Sequence, residues 1–197
     1  MPGHRNDKFM NAVSTGNINY ITSYINRGGN VNRVSKLGWT PLMVASMGKT
    51  EMVKLLLKNG ADVNKENKDG ATPLSVASSE GFVDVVKVLL KAGAKVNKAE
   101  KRRGYTPLLY ATDEGYTEVI KLLLKAGAYV NKANKEGEAP LHLAARWGKP
   151  DVMRLLLKRN PDVNKVNKKG ENPLHIAFRR GNTKMMMLLL KAGAKLP

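Results

Sequence analysis

Two histidines, His142 and His175, stand 33 residues apart in the same local string, Pro-Leu-His. In a periodic chain such a pair stacks one above the other and could be taken for two ligands of a single metal ion. Zinc needs three or four nitrogen, sulfur or oxygen donors at defined spacing, and no acid or thiol completes a set beside either histidine. The chain has no cysteine, which removes disulfides, thiolate metal sites and cysteine nucleophiles together. That composition fits a reducing compartment, or a chain designed without thiols. Gly48-Lys49-Thr50 resembles the end of a phosphate-binding loop, yet Met43 stands where the first glycine of that loop belongs. The run from Lys65 to Gly70 has the rough spacing of a calcium loop, but Lys65 holds the first ligand position. There is no nucleophile-elbow motif and no serine, histidine and acid on one face. The residues therefore point away from an enzyme and a small-molecule substrate, and no cofactor, catalytic residue or metal site is expected.

The elements that carry these residues are set by an internal repeat. Pro41, Pro73, Pro107, Pro140 and Pro173 follow one another at intervals of 32, 34, 33 and 33 residues, each followed by leucine and preceded three residues earlier by glycine. A second glycine recurs at Gly48, Gly81, Gly115, Gly148 and Gly181, and twelve residues after each stands Gly60, Gly93, Gly127, Asn160 or Gly193. Thr40, Thr72 and Thr106 suit helix N-caps, with proline at the first helical position, where its missing N–H costs nothing. The middle glycine separates two helices. The second helix has an apolar stripe such as Met52-Val53 with Leu55-Leu56-Leu57, and ends at a glycine suited to a left-handed C-cap. One such unit cannot bury its own apolar face, so neighbours must stack.

The strings "DGATPLSVAS", "GYTPLLYAT" and "GEAPLHLAARWG", with tails such as "LLLKAGAYVN", resemble ankyrin repeats over nearly the whole chain. The resemblance implies an all-α repeat solenoid of stacked ankyrin repeats, each a helix-turn-helix with a β-hairpin or loop, in about six units. The expected single array, 1–197, divides into an N-terminal capping repeat (1–34), full repeats 35–66, 67–100, 101–133 and 134–166, and a C-terminal capping repeat (167–197). It also implies that His142 and His175 are structural. Four departures from the pattern carry expectations. One residue is missing between Ala45 and Gly48, so that first helix should end early. One is added around Glu100-Lys101-Arg102-Arg103, which should lengthen a hairpin tip. Ala139 replaces a capping threonine, at a cost of about 1 kcal/mol if nothing compensates, and Asn160-Pro161 replaces Gly-Ala. Met185, Met186 and Met187 give the last helix an apolar outer edge, which fits either a capping repeat or an array that continues.

The resemblance implies a protein–protein interaction module whose partner, a protein or peptide, lies in the concave groove of hairpin tips and first helices. Carried across position by position, that groove contains Trp39, Met47, Glu80, Arg102, Arg103, Tyr105, Asp113, Glu114, Arg146, Trp147, Arg179 and Arg180. Trp39, Tyr105 and Trp147 are expected to be open there, and tryptophan and arginine are common interface anchors. Glu80, Asp113 and Glu114 make the middle acidic, whereas Arg146, Arg179 and Arg180 make the far end basic, which suits a partner with a basic segment followed by an acidic one. Tips about 10 Å apart would span a segment of several tens of ångströms.

The formal net charge is +18, from 34 basic and 16 acidic side chains. Much of it falls on the second helices, where Lys58, Lys91, Lys125, Lys158 and Lys191 recur at the C-terminal turn and complement the helix dipole. A charge of this size also admits a second reading, binding of nucleic acid or an anionic lipid surface through the lysines. The resemblance further implies that Asn64 and Asn164, each in an Asp-Val-Asn turn, are candidates for hydroxylation by an asparagine hydroxylase. No secretory signal fits the polar start Met1 to Lys8, and no apolar run is long enough for a bilayer. The expectation is a soluble, intracellular, cytoplasmic or nuclear monomer.

Overall fold

The computed structural model describes residues 8–195. Residues 1–7 and 196–197, which include most of the polar start read for a signal and the end of the last unit, lie outside the described residues. Twelve helices form six antiparallel pairs: α1 (Lys8–Thr15) with α2 (Ile18–Asn26), α3 (Pro41–Ala45) with α4 (Thr50–Lys58), α5 (Pro73–Glu80) with α6 (Val83–Lys91), α7 (Pro107–Glu114) with α8 (Thr117–Lys125), α9 (Pro140–Trp147) with α10 (Pro150–Leu157), and α11 (Pro173–Arg179) with α12 (Thr183–Lys191). First helices pack on first helices and second on second, so the molecule is an all-helical solenoid with no strand among the described residues.

The threonines act as caps: the N–H groups of Met43, Ser75 and Leu109 donate to the hydroxyls of Thr40, Thr72 and Thr106, each at 3.2 Å. Ala139 offers no such acceptor. There the N–H of His142 turns to the Ala139 carbonyl at 2.9 Å, and the N–H of Ala139 donates to His142 Nδ1 at 3.1 Å. His175 Nδ1 accepts from Asn172 N–H in the same way, so the two histidines are parts of helix starts. Burial lowers the pKa of His142 and keeps its imidazole neutral, opposed by the backbone of Glu171 and Lys165. The shortened segment after Ala45 does end α3 early, at five residues against eight in α5. Asn160 adopts φ +47°, the left-handed conformation that glycine supplies at the corresponding positions.

Between repeats two registers of contact hold the stack. Leu42, Val53, Leu56, Leu74, Val86, Leu89, Leu108, Ile120, Leu123, Leu141, Met153, Leu156, Leu174 and Leu189 belong to one continuous core. Outside it runs a ladder of asparagine amides. Asn32 Nδ2 donates to Gly60 O at 2.8 Å while its Oδ1 accepts from Asp62 N–H at 2.8 Å. Asn64 repeats this with Gly93 and Lys95, Asn97 with Gly127 and Tyr129, and Asn164 with Gly193 and Lys195. Asn131 accepts from Asp162 N–H at 2.9 Å. Each amide side chain thus satisfies backbone groups left over at the end of the next repeat's second helix.

The tips are hydrogen-bonded turns, and they also meet one another. Lys68, Lys101, Lys135 and Lys168 each donate a backbone N–H to the preceding tip, at Leu37, Asp69, Arg103 and Glu136. The approach is close enough that a Cβ on Gly104 would lie 3.0 Å from Lys135 N, on a backbone with φ +74°, so this register requires glycine.

Candidate partner-binding groove

Each tip is organised by one side chain at the same register. Asn67 Oδ1 accepts from Ala71 N–H, Asn134 Oδ1 from Glu136 and Glu138 N–H, and Asn167 Oδ1 from Lys169 and Glu171 N–H. In the lengthened tip the organiser is Glu100. Its buried carboxylate accepts from the N–H groups of Arg102, Arg103 and Tyr105 at 2.6, 2.7 and 3.0 Å. The turn closes between Glu100 N–H and Tyr105 O, one residue wider than the turn from Asn67 to Ala71.

That fold-back corrects one sequence expectation. Tyr105 is not open to the groove: it is 1% exposed and packs with Leu109, Leu143 and Tyr110. Arg103 covers it, with its guanidinium 4.0 Å from the ring centroid and Nη2 donating to the hydroxyl at 2.7 Å. Burial and the neighbouring Asp113 carboxylate push the Tyr105 hydroxyl above its ordinary pKa. Trp39 and Met47 are half-buried rather than open, and Trp39 leans on the core.

Of the three aromatics only Trp147 projects, at 53% exposure. Its indole N–H donates to Asp113 Oδ1 at 2.6 Å, and Asp113 Oδ2 accepts from the Tyr105 hydroxyl at 3.3 Å and lies 3.9 Å from Arg103. Lys149 Nζ donates to the Asp113 carbonyl at 2.6 Å. The structure therefore brings Arg103, Tyr105, Asp113 and Trp147 into one network across two repeats. The polar edge of the indole is fixed while its faces remain available, which reduces the rotamer freedom lost on binding.

The charges sort differently from their sum. Arg146 pairs with Glu138, which is itself buried, and Arg179 pairs with Glu171 at 3.0 Å. Glu80, Arg102, Glu114 and Arg180 are exposed and make no ion pair among the described residues. Glu80 and Glu114 lie toward the middle of the array with Arg102 between them in sequence, and Arg180 lies at its end, so the unpaired groups are two acids and one base in the middle and one base at the end. On the second helices Glu51, Asp84, Glu118 and Asp151 each pair with the base three residues on. These pairs are solvent-exposed and contribute little. Lys58, Lys91, Lys125, Lys158 and Lys191 are exposed on the last turns or just beyond them.

Asn64 and Asn164 are found in the inter-repeat ladder, with both amide atoms of each already bonded. Sequence reasoning did not find the organising role of Glu100 or the placement of Tyr110. Tyr110 stands where the other first helices have Val44, Val76, Leu143 and Ile176, and that exchange of aliphatic for aromatic was the available signal. Among the described residues no group of three or more histidines, acids or cysteines could hold a metal ion. No helix there is long and apolar enough to cross a membrane.

A stacked array of helix pairs, first helices packed on first and second on second, defines a helical repeat scaffold. The family model described as ankyrin repeats (3 copies) matches residues 9–100, 66–134 and 108–197, and the chain belongs to the ankyrin-repeat family. Members of this family generally serve as protein–protein interaction modules. The chain is also 35% identical over 57 residues to "Ankyrin repeat, SAM and basic leucine zipper domain-containing protein 1" from Neofelis nebulosa, a match covering 28% of this chain and 12% of that protein. The matched segment is thus a small part of that relative's length.

Proposed function

We propose that this chain is a non-catalytic module that binds a protein or peptide segment along its concave groove, with Trp147 as the central anchor. The observation that carries the reading is the pinned, half-exposed indole, held by Asp113 and set between the unpaired acids Glu80 and Glu114 and the unpaired Arg180. The partner presents a basic stretch to the acids and an acidic stretch to Arg180. The test is selection of a displayed library of random linear peptides on the purified chain. Clones should weaken by about 2 kcal/mol, roughly 30-fold, against a Trp147→Ala, Arg180→Ala variant. Clones that bind both proteins equally would show that the groove is not the site.

The exposed lysines on the second helices favour a second reading, attraction of a polyanion. It predicts binding of a random-sequence oligonucleotide that falls by about 3 orders of magnitude from low to near-physiological salt and is unmoved by the same two substitutions. Hydroxylation of Asn64 and Asn164 is a separate proposal. Because both amides are bonded, a hydroxylase needs a locally opened junction, and mass spectrometry of native material should show the gain of one oxygen on these asparagines. Unmodified peptides at both positions would retire it.

A further inference from the structure

The groove floor is built from one pair of positions per repeat, a tip residue and a first-helix residue eight further on. In the later repeats these pairs are large and mutually bonded: Tyr105 with Asp113, Glu138 with Arg146, and Glu171 with Arg179. In the repeat that carries α5 the corresponding pair is Ala71 and Ser79, both small. Beside them is a cleft of about 220 Å³, whose lining includes Trp39, Tyr110, Asp69 and Arg102. The space is of the order of one long side chain.

The chemistry of the lining selects among side chains. Two aromatic rings belong to the lining, Tyr110 resting with its centroid 5.0 Å from that of Tyr105, and planar cations bind aromatic faces well. Asp69, Glu100 and Arg102 line the cleft, and Arg103 acts on Tyr110 from beside it, where it also meets Asp113; Asp69 is the carboxylate left to receive a cation. Asp69 is exposed and makes no ion pair among the described residues. Glu100 spends its oxygens on backbone N–H groups, and burial first and the Glu100 carboxylate second push the Tyr110 hydroxyl upward, opposed by Arg103 and Arg102. Neither the Trp39 indole N–H nor the Tyr110 hydroxyl bonds to another described residue, so both polar tips remain available.

We propose that this cleft is a specificity pocket for an arginine side chain of the partner, its guanidinium between Trp39 and Tyr110 and directed to Asp69, above a floor of Ala71 and Ser79. The pocket rests on the groove reading and deepens it, because it lies toward the acidic stretch of the groove and names the residue the partner's basic segment must contain. Lysine fits less well, since a compact, strongly hydrated ammonium gains less from aromatic faces than a planar guanidinium does. Arg102 at the rim is exposed and free to turn toward an acid beside that arginine.

Only two tryptophans are present, Trp39 in the pocket and Trp147 at the anchor, so two indole N–H signals in an ¹⁵N-correlated spectrum report the two places separately. The probe is the blocked tripeptide acetyl-Gly-Arg-Gly-amide, compared with its neutral citrulline isostere and with the lysine analogue. The arginine peptide should shift the Trp39 signal saturably, and the citrulline peptide should bind roughly tenfold more weakly or worse. Ala71→Leu, which fills the floor, should abolish the shift, and Asp69→Asn should weaken it, with the rest of each spectrum unchanged. A Trp39 signal that does not move, moves equally for citrulline, or still moves in Ala71→Leu would overturn the pocket. A lost Trp39 response alongside peptides that still require Trp147 would reject the pocket and leave the groove standing; loss of the Trp147 dependence alone would reject the groove.

Discussion

Leu123→Ala should lower the unfolding free energy by about 2–5 kcal/mol, the range for removing a fully buried leucine side chain. Leu123 is 0% exposed and lies in α8, at the middle of the array, with repeats on both sides. In a solenoid each repeat touches only its neighbours, and stability is close to a sum of repeat and junction contributions. A cavity in a central repeat therefore weakens two junctions, and the halves on either side lose part of their coupling. Urea denaturation followed by circular dichroism should show a lower midpoint and, where the coupling fails, a broadened or two-step transition. A single transition at an unchanged midpoint would mean that the core around α8 collapses to fill the space. The same substitution at Leu190, which is 53% exposed in the last described helix, should cost far less.

Glu100→Ala should be the most damaging change in any of the tips. Glu100 is 5% exposed, and its carboxylate accepts three backbone N–H groups, one of them from the buried Tyr105. Hydrogen bonds to a charged acceptor contribute more than neutral ones, and a buried donor left without a partner costs about 1–3 kcal/mol. The expected loss is about 2–3 kcal/mol in denaturant unfolding. It should be accompanied by faster amide exchange at Arg102, Arg103 and Tyr105. Glu100→Gln keeps an acceptor oxygen and should recover part of the loss. If alanine and glutamine cost the same and exchange is unaltered, the carboxylate does not organise the tip. Because this turn places Arg103 over Tyr105 and against Asp113, its loosening should also weaken peptide binding at Trp147, which Asp113 holds.

The architecture was legible in the sequence because its causes are local and recur. Threonine before proline marks a helix start, a glycine at fixed distance marks its end, and the missing residue after Ala45 shortened α3 as its count implied. The added residue before Tyr105 was visible too, and it widened the tip as its count implied, but the inward fold of that tip was not visible. The side chain of Glu100 bends the longer tip inward, and that turned Tyr105 from an expected groove residue into a core residue. Which groove charges are already paired was likewise hidden, since Arg146 and Arg179 meet tip acids eight residues earlier only once the hairpin folds over the helix. Nothing local to Asn32, Asn64, Asn97 or Asn164 marks them as joints between repeats. Their bonds reach about thirty residues along the chain and exist only after stacking. Trp147 is exposed as expected, but its tether to Asp113 depends on the distance between two repeats, which no local pattern encodes.

The asparagine ladder gives the array a mechanical character. Pulled from its two ends, a solenoid is a row of links in series, and the tension is the same in every link. What differs is how many ladder bonds resist it. Asn32, Asn64, Asn97 and Asn164 each hold the next repeat with two, whereas Asn131 meets Asp162 with one, at the place where Asn160 stands in for glycine. By this count the ladder's weak link lies between the helix pair α7/α8 and the pair α9/α10. Asp113 on α7 grips Trp147 and Lys149 of the following pair across that same junction. The clasp that holds Trp147 thus doubles as a strut where the ladder is thinnest, and strain along the array would be felt first at the proposed binding surface.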